Sequence, residues 1–186
     1  MLPVVLSQDE VRAVLRAVRH PVRRMALATI YALGLRLNEG LGLETGHIDG
    51  PRLTVWVRDG KGAKDRGVPL PRPLLARLRA YWKIERPRSA TSYLFVPTDG
   101  KAPLHDSTLQ KTFTAARADA RITKDASIHT LRHSYATHLL EAGVSLRTIQ
   151  HVLGHKSMRT TEVYMHVTPP GAEKLQETLD RLMVDL

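Results

Sequence analysis

The chain has 186 residues, enough for one domain with a sizeable core and too few for two comfortable ones. Hydrophobic residues make up 42% and charged residues 25%, the balance of an ordinary folded protein, and 28 Lys+Arg against 18 Asp+Glu leave a net +10 that favours phosphate-rich partners. With Cys 0, no apolar run near the ~20 residues of a bilayer span and no basic-then-apolar layout over Met1–Glu10, the composition argues against disulfide, thiolate, membrane and secreted classes and for a cytoplasmic protein.

Ser7 and Glu10 form a capping-box pattern, and Val11, Val14, Leu15 and Val18 then recur at helical spacing. Pro21 suits the first turn of a second helix through Met25, Leu27, Ile30 and Tyr31. Gly34 interrupts it before a short helix through Leu37 and Leu41. From Gly50 the period changes to two: Leu53, Val55 and Val57 alternate with Thr54, Trp56 and Arg58, as in a half-buried strand. Gly60-Lys61-Gly62 offers a turn, and Gly67-Val68-Pro69-Leu70 a returning strand. Helical spacing resumes at Leu74, Leu75, Leu78 and Trp82 and stops at Pro87. Tyr93–Val96 reads as a short edge strand because Pro97 follows directly.

Asp106 or Ser107 is positioned to cap a helix through Leu109, Phe113 and Ala116, and Thr130 to cap another from Leu131 to Leu140 that Gly143 closes. Ser145 starts the next helix and Gly154 ends it. Leu175, Leu179, Leu182 and Met183 write a last amphipathic helix. The expected fold class is α+β, predominantly α-helical, with one small antiparallel β-sheet near the middle.

The charge is uneven. Residues 1–90 carry 17 Lys+Arg and 8 Asp+Glu, whereas residues 91–186 carry 11 and 10, so the first half is the one expected to face a polyanion. Within His129-Thr130-Leu131-Arg132-His133, at the start of a predicted helix, His129 and Arg132 lie on one face. A guanidinium offers a fork to two phosphate oxygens, and an imidazole moves protons near neutral pH. That spacing alone is equally that of a structural ion pair.

Other motifs stand in order around it. Gly34-Leu35-Arg36-Leu37-Asn38-Glu39 and Gly60-Lys61-Gly62-Ala63-Lys64-Asp65-Arg66 lie upstream. Leu153-Gly154-His155 and then Tyr164, in Thr160–His166, lie downstream. Together these resemble the catalytic domain of the tyrosine recombinases, or phage integrase family, over about Leu6 to Val167. The resemblance implies site-specific DNA recombination, in which a tyrosine hydroxyl attacks a DNA phosphodiester to give a 3′-phosphotyrosyl link and a free 5′-hydroxyl.

Carried over by residue, the resemblance makes Tyr164 the nucleophile, Arg36 and Arg132 the ligands of the non-bridging oxygens, and His155 a further hydrogen-bond donor to that phosphate. It makes Lys61 the acid that protonates the leaving 5′-oxygen and His129 an aid to proton transfer around the tyrosine. It implies double-stranded DNA as partner, no cofactor and no metal, a monomer without DNA and a tetramer on it, with nucleoid association when acting. Residues 1–168 are then the catalytic domain and 169–186 its C-terminal amphipathic helix, a tail that docks on a neighbouring protomer or folds back on its own domain. The helical core-binding domain that family members carry ahead of this region is expected to be absent from this chain. Asn38 and Gly40 depart from the serine and larger apolar residue usual in the family.

Rival readings exist. Arg36 has Glu39 in reach as a plain ion pair, Tyr164 has the apolar neighbours of a core aromatic, and Lys64 competes with Lys61. His133, His138, His151 and His166 suit helix caps or the core. Two other functions fit the same pattern: a type IB topoisomerase-like nicking and rejoining enzyme, and a non-catalytic DNA-binding module that would have no use for Tyr164.

Overall fold

Ser7 starts helix α1 (Gln8–Ala17) through the reciprocal pair expected of it: its Oγ accepts from the Glu10 N–H at 3.1 Å, while Glu10 Oε2 accepts from the Ser7 N–H at 2.7 Å. This computed structural model describes residues 4–58, 65–154 and 169–183, the last segment in backbone alone up to residue 174. Helix α2 (Pro21–Ala32) opens on its proline and is buried from Met25 to Ala32, all round its circumference. Such a helix belongs at the centre of a core. Around it pack α1, the short α3 (Leu37–Leu41), α4 (Arg72–Ile84), α5 (Asp106–Asp119) and α6 (Ile128–Glu141).

Strands β1 (Ile48–Asp49), β2 (Thr54–Val57) and β3 (Arg66–Pro69) form one antiparallel sheet in the order β1-β2-β3. Val55 faces Val68 and Val57 faces Arg66 across the central pair. Val55, Val57 and Val68 enter the core while Trp56 stays outside, the alternation read from the sequence. Leu53 takes φ +49° and turns the chain into β2 rather than belonging to it. The two-residue β1 is too short to leave a periodic signal.

Tyr93–Val96 is not a strand. Leu94, Phe95 and Val96 are all buried in succession, where an edge strand would alternate. Their backbone bonds go to loops, with the Leu94 N–H donating to Leu43 O at 2.8 Å and Phe95 O accepting from the Leu104 N–H at 2.9 Å; Tyr93 adds one isolated bridge to Glu44. Two caps also fall earlier than expected. His105 caps α5, its Nδ1 accepting from the Ser107 N–H at 3.3 Å. Ser127 caps α6, and Thr130 sits in the third helical position, its hydroxyl accepting from the Ser127 N–H at 3.0 Å. Starting α6 at Ile128 buries that side chain.

Helix α7 (Leu146–Leu153) begins at Ser145 and ends at Gly154, which takes φ +66°. Helix α8 (Pro169–Leu182) buries Leu175, Leu179 and Leu182, and Met183 just beyond it is buried too. It is seated on its own domain beside the start of α4: Asp180 Oδ1 accepts from the Arg72 N–H at 2.9 Å, and Gln176 Nε2 donates to Leu70 O at 3.2 Å. Among the described residues no helix is long and apolar enough to cross a membrane.

Candidate functional site

The C-terminal end of α2, the start of α3, the first residue of β3, the N-terminal half of α6 and the end of α7 meet around one carboxylate. Gly34 makes the meeting possible. It takes φ +59°, and a Cβ there would collide with the Tyr135 ring and Leu153. Its carbonyl accepts from Arg132 Nη1 at 2.7 Å, and Leu153 O accepts from Arg132 Nη2 at 2.6 Å. The buried Arg132 guanidinium is thus held between carbonyls at the C-terminal ends of α2 and α7, where the helix dipoles are negative. Burial, and next the neighbouring Arg36 charge, lower its pKa to about 10 against the pull of Glu39, so it stays charged at neutral pH.

Arg36 is the N-cap of α3. Its backbone N–H donates to Glu39 Oε2 at 2.8 Å and its Nη1 to Oε1 at 2.7 Å, while the side chain remains 42% exposed. The ion-pair reading of Arg36 is therefore correct, and the pairing leaves the side chain partly exposed. Gly40, directly after Glu39, packs where any Cβ would strike Ile30, which accounts for the missing larger side chain.

Glu39 does more than pair with Arg36. Arg66 donates Nη1 to Oε1 at 3.0 Å and Nη2 to Oε2 at 2.8 Å, so each carboxylate oxygen accepts twice. Arg132 Nη1 stands 3.8 Å from Oε2. Burial pushes the Glu39 pKa up, but the bonds from Arg66 and Arg36 win and hold it at about 2. One carboxylate against three guanidiniums leaves an excess of positive charge beside the partly exposed Arg36, a field that favours an anion.

Arg66 and the central place of Glu39 were not foreseen from the sequence. Arg66 is 9% exposed, and its Nε also donates to Val152 O at 3.1 Å. Gly154 lies so close that a Cβ there would press on the guanidinium. A signal was present: Arg66 shares the inward face of β3 with Val68, and an arginine on that face needs a buried acceptor.

His129 lies one turn before Arg132, in the first turn of α6, and is exposed. His138 is buried and hydrogen-bonded through Nδ1 to the Tyr31 hydroxyl at 2.8 Å, a core role as expected, whereas His133 and His151 are exposed. Lys61, with the expected turn around it, and His155, Tyr164 and His166 lie outside the described residues. In sequence, Lys61 falls in the connection between the paired residues Val57 and Arg66, and His155 directly follows Gly154. Among the described residues, no group of three or more His, Asp or Glu is gathered as a metal ion would require.

The model of the phage integrase family matches residues 4–170 of the chain. The tyrosine recombinase XerA of Thermococcus kodakarensis is 37% identical over 179 residues, covering 95% of this chain and 62% of that protein. A tyrosine recombinase of Thermosipho africanus is 37% identical over 169 residues, covering 89% of this chain and 58% of that protein. Among solved structures, that of a XerA recombinase superposes with a TM-score of 0.75 at 30% identity, over 95% of this chain and 65% of the other. That of the XerH site-specific recombinase bound to its difH substrate before cleavage gives 0.71 at 29% identity, over 89% and 51%. The chain spans 62% and 58% of the lengths of those two relatives.

Proposed function

Because the chain belongs to the phage integrase family, we propose that it is the catalytic domain of a site-specific DNA recombinase that cleaves and rejoins strands through a 3′-phosphotyrosyl intermediate. The observation that carries this reading is the Glu39 cluster. Three sequence-distant arginines converge on one buried carboxylate and leave a surplus of positive charge beside the half-exposed Arg36. Structures of relatives solved on substrate DNA before and after cleavage support the same partner.

In this mechanism Arg36 and Arg132 grip the non-bridging oxygens of the scissile phosphate. Negative charge grows on those oxygens as the phosphorus becomes five-coordinate, so prepositioned guanidiniums favour the transition state over the ground state. His155 adds a hydrogen bond to the same phosphate. Tyr164 attacks phosphorus; a phenol is a weak nucleophile until it gives up its proton, and His129 assists that transfer. Lys61 protonates the departing 5′-oxygen. The phosphotyrosyl bond keeps the energy of the broken ester, so the 5′-hydroxyl of the same or a partner strand can reverse the attack without a nucleotide cofactor.

Residues 1–168 act as the catalytic domain and α8 as its C-terminal helix, seated in cis in the free protein and available to a neighbouring protomer in a tetramer on DNA. The protein acts in the cytoplasm, associated with the nucleoid. The test is a denaturing-gel assay for a covalent protein–DNA adduct on supercoiled and nicked DNA, with wild type beside Tyr164→Phe. An adduct from wild type alone is expected. Salt-sensitive DNA binding that Tyr164→Phe leaves intact, with no adduct from either protein, would favour a non-catalytic DNA-binding module.

A further inference from the structure

We infer that Arg66 is a positioning residue for anion binding: it occupies Glu39 so that this carboxylate does not draw Arg36 and Arg132 away from the phosphate. The inference rests on the functional reading above for its biological meaning, though not for its measurement. Glu39 offers two oxygens, and each already accepts two N–H groups, one of them from Arg66. Arg66 is suited to this place because it is buried and tied elsewhere. Its Nε is held by Val152 O, its Cδ and guanidinium lie against Gly154, and its backbone is paired with Val57 in the sheet.

Without Arg66, two acceptor positions on a buried, ionised carboxylate fall vacant. The nearest cations are Arg36, already bonded through one Nη, and Arg132, whose Nη1 stands only 3.8 Å from Oε2. Both would turn further towards Glu39, because an unpaired buried charge is far costlier than a rearranged guanidinium. Turning in takes from the partly exposed Arg36 the donors it offers an anion, and draws Arg132 off the Gly34 and Leu153 carbonyls that set its orientation. Arg66 therefore strengthens binding at a place it does not touch, by a bidentate bond that lysine cannot reproduce.

Removing the carboxylate together with Arg66 should restore what removing Arg66 alone destroys. That sign separates this role from a merely structural one, in which each lost bond would add to the damage. The experiment compares wild type, Arg66→Lys, Arg66→Met, Glu39→Gln and the double variant Arg66→Met/Glu39→Gln. Inorganic phosphate is titrated in, and the guanidinium Nε–H resonances of Arg36 and Arg132 are followed by NMR. Thermal unfolding of each variant checks that it folds.

Arg66→Met should weaken phosphate binding roughly 10–100-fold, as is usual for groups that orient ligating residues. Arg66→Lys should fall between it and wild type, and the double variant should recover most of the loss despite being no more stable than Arg66→Met. Adduct formation on DNA should follow the same ranking. A double variant as weak as Arg66→Met or weaker, or an Arg66→Met protein that binds phosphate like wild type, would overturn the inference. The phosphate titration needs no cleavage, so a wild type that forms no adduct would count against the recombinase reading and leave this ranking to be judged by itself. Should Arg66→Met fail to fold, Arg66→Lys against Arg66→Lys/Glu39→Gln decides the same sign.

Discussion

Helix α6 meets α2 and the turn that follows it through polar groups at two places, and the two are built on opposite terms. At Tyr31 and His138 the groups are neutral, buried and satisfied by one another at 2.8 Å. At Gly34 and Arg132 a full charge is buried, held by two carbonyls and faced by a carboxylate. Tyr135 separates them, meeting Tyr31 edge-on with ring centroids 6.5 Å apart and covering Gly34 on its other side. The neutral pair closes on itself and carries no net charge to attract an ionic ligand. The charged cluster has more cations than its carboxylate can neutralise, and it opens to solvent through Arg36. Burial of polar groups near a site therefore serves either packing or binding, and the balance of charge tells which.

The comparison breaks most severely at Arg132. Arg132→Met should lower the rate of adduct formation by about 10²–10³-fold, the loss typical of one donor to a developing oxyanion. It should also cost about 2–4 kcal/mol of stability in urea denaturation, because the buried carbonyls of Gly34 and Leu153 both lose their donor.

Acid titration sharpens the contrast. The Glu39 pKa is lowered to about 2 in the folded protein, so the unfolded chain takes up that proton first as pH falls. The resulting stability is complete above about pH 5 and disappears as pH drops towards 2, a change of about 3 kcal/mol that Glu39→Gln should abolish in pH-dependent unfolding. His138 acts in a higher window. Burial lowers its pKa, so the unfolded state binds the proton first below about 6.5 and stability declines from there. Glu39→Gln should leave that upper decline in place.

The smallest effect belongs to the neutral pair. Tyr31→Phe should cost about 1–3 kcal/mol, because the buried His138 Nδ1 loses its partner. Adduct formation by that variant, assayed at a temperature where it is fully folded, should match wild type. A large loss of activity there would show that the two polar clusters act as one.

Much of the fold was legible. The Ser7–Glu10 box, Pro21 at the head of α2, Ser145 and Gly154 at the ends of α7, and the Val55–Trp56–Val57 alternation are signals carried within a few residues, and each appears where expected. The error at Tyr93–Val96 has the opposite origin. A short apolar run reads alike whether it pairs in a sheet or is buried as a loop, and here its backbone partners come from Leu43 and Leu104. The earlier starts of α5 and α6 likewise depended on the burial of neighbours such as Ile128.

At the candidate site, the sequence by itself determined which residue types were available and in what order: Arg36, Lys61, His129, Arg132, His155 and Tyr164. Only the tertiary structure decided how the described ones are held. Arg132 reaches Gly34 across 98 positions of sequence, and Arg66 reaches Glu39 across 27. Caps and periodicity are local because they depend on the backbone within a turn or two. The partner of a buried charge is whatever the completed core places within about 3 Å of it, which no local pattern encodes.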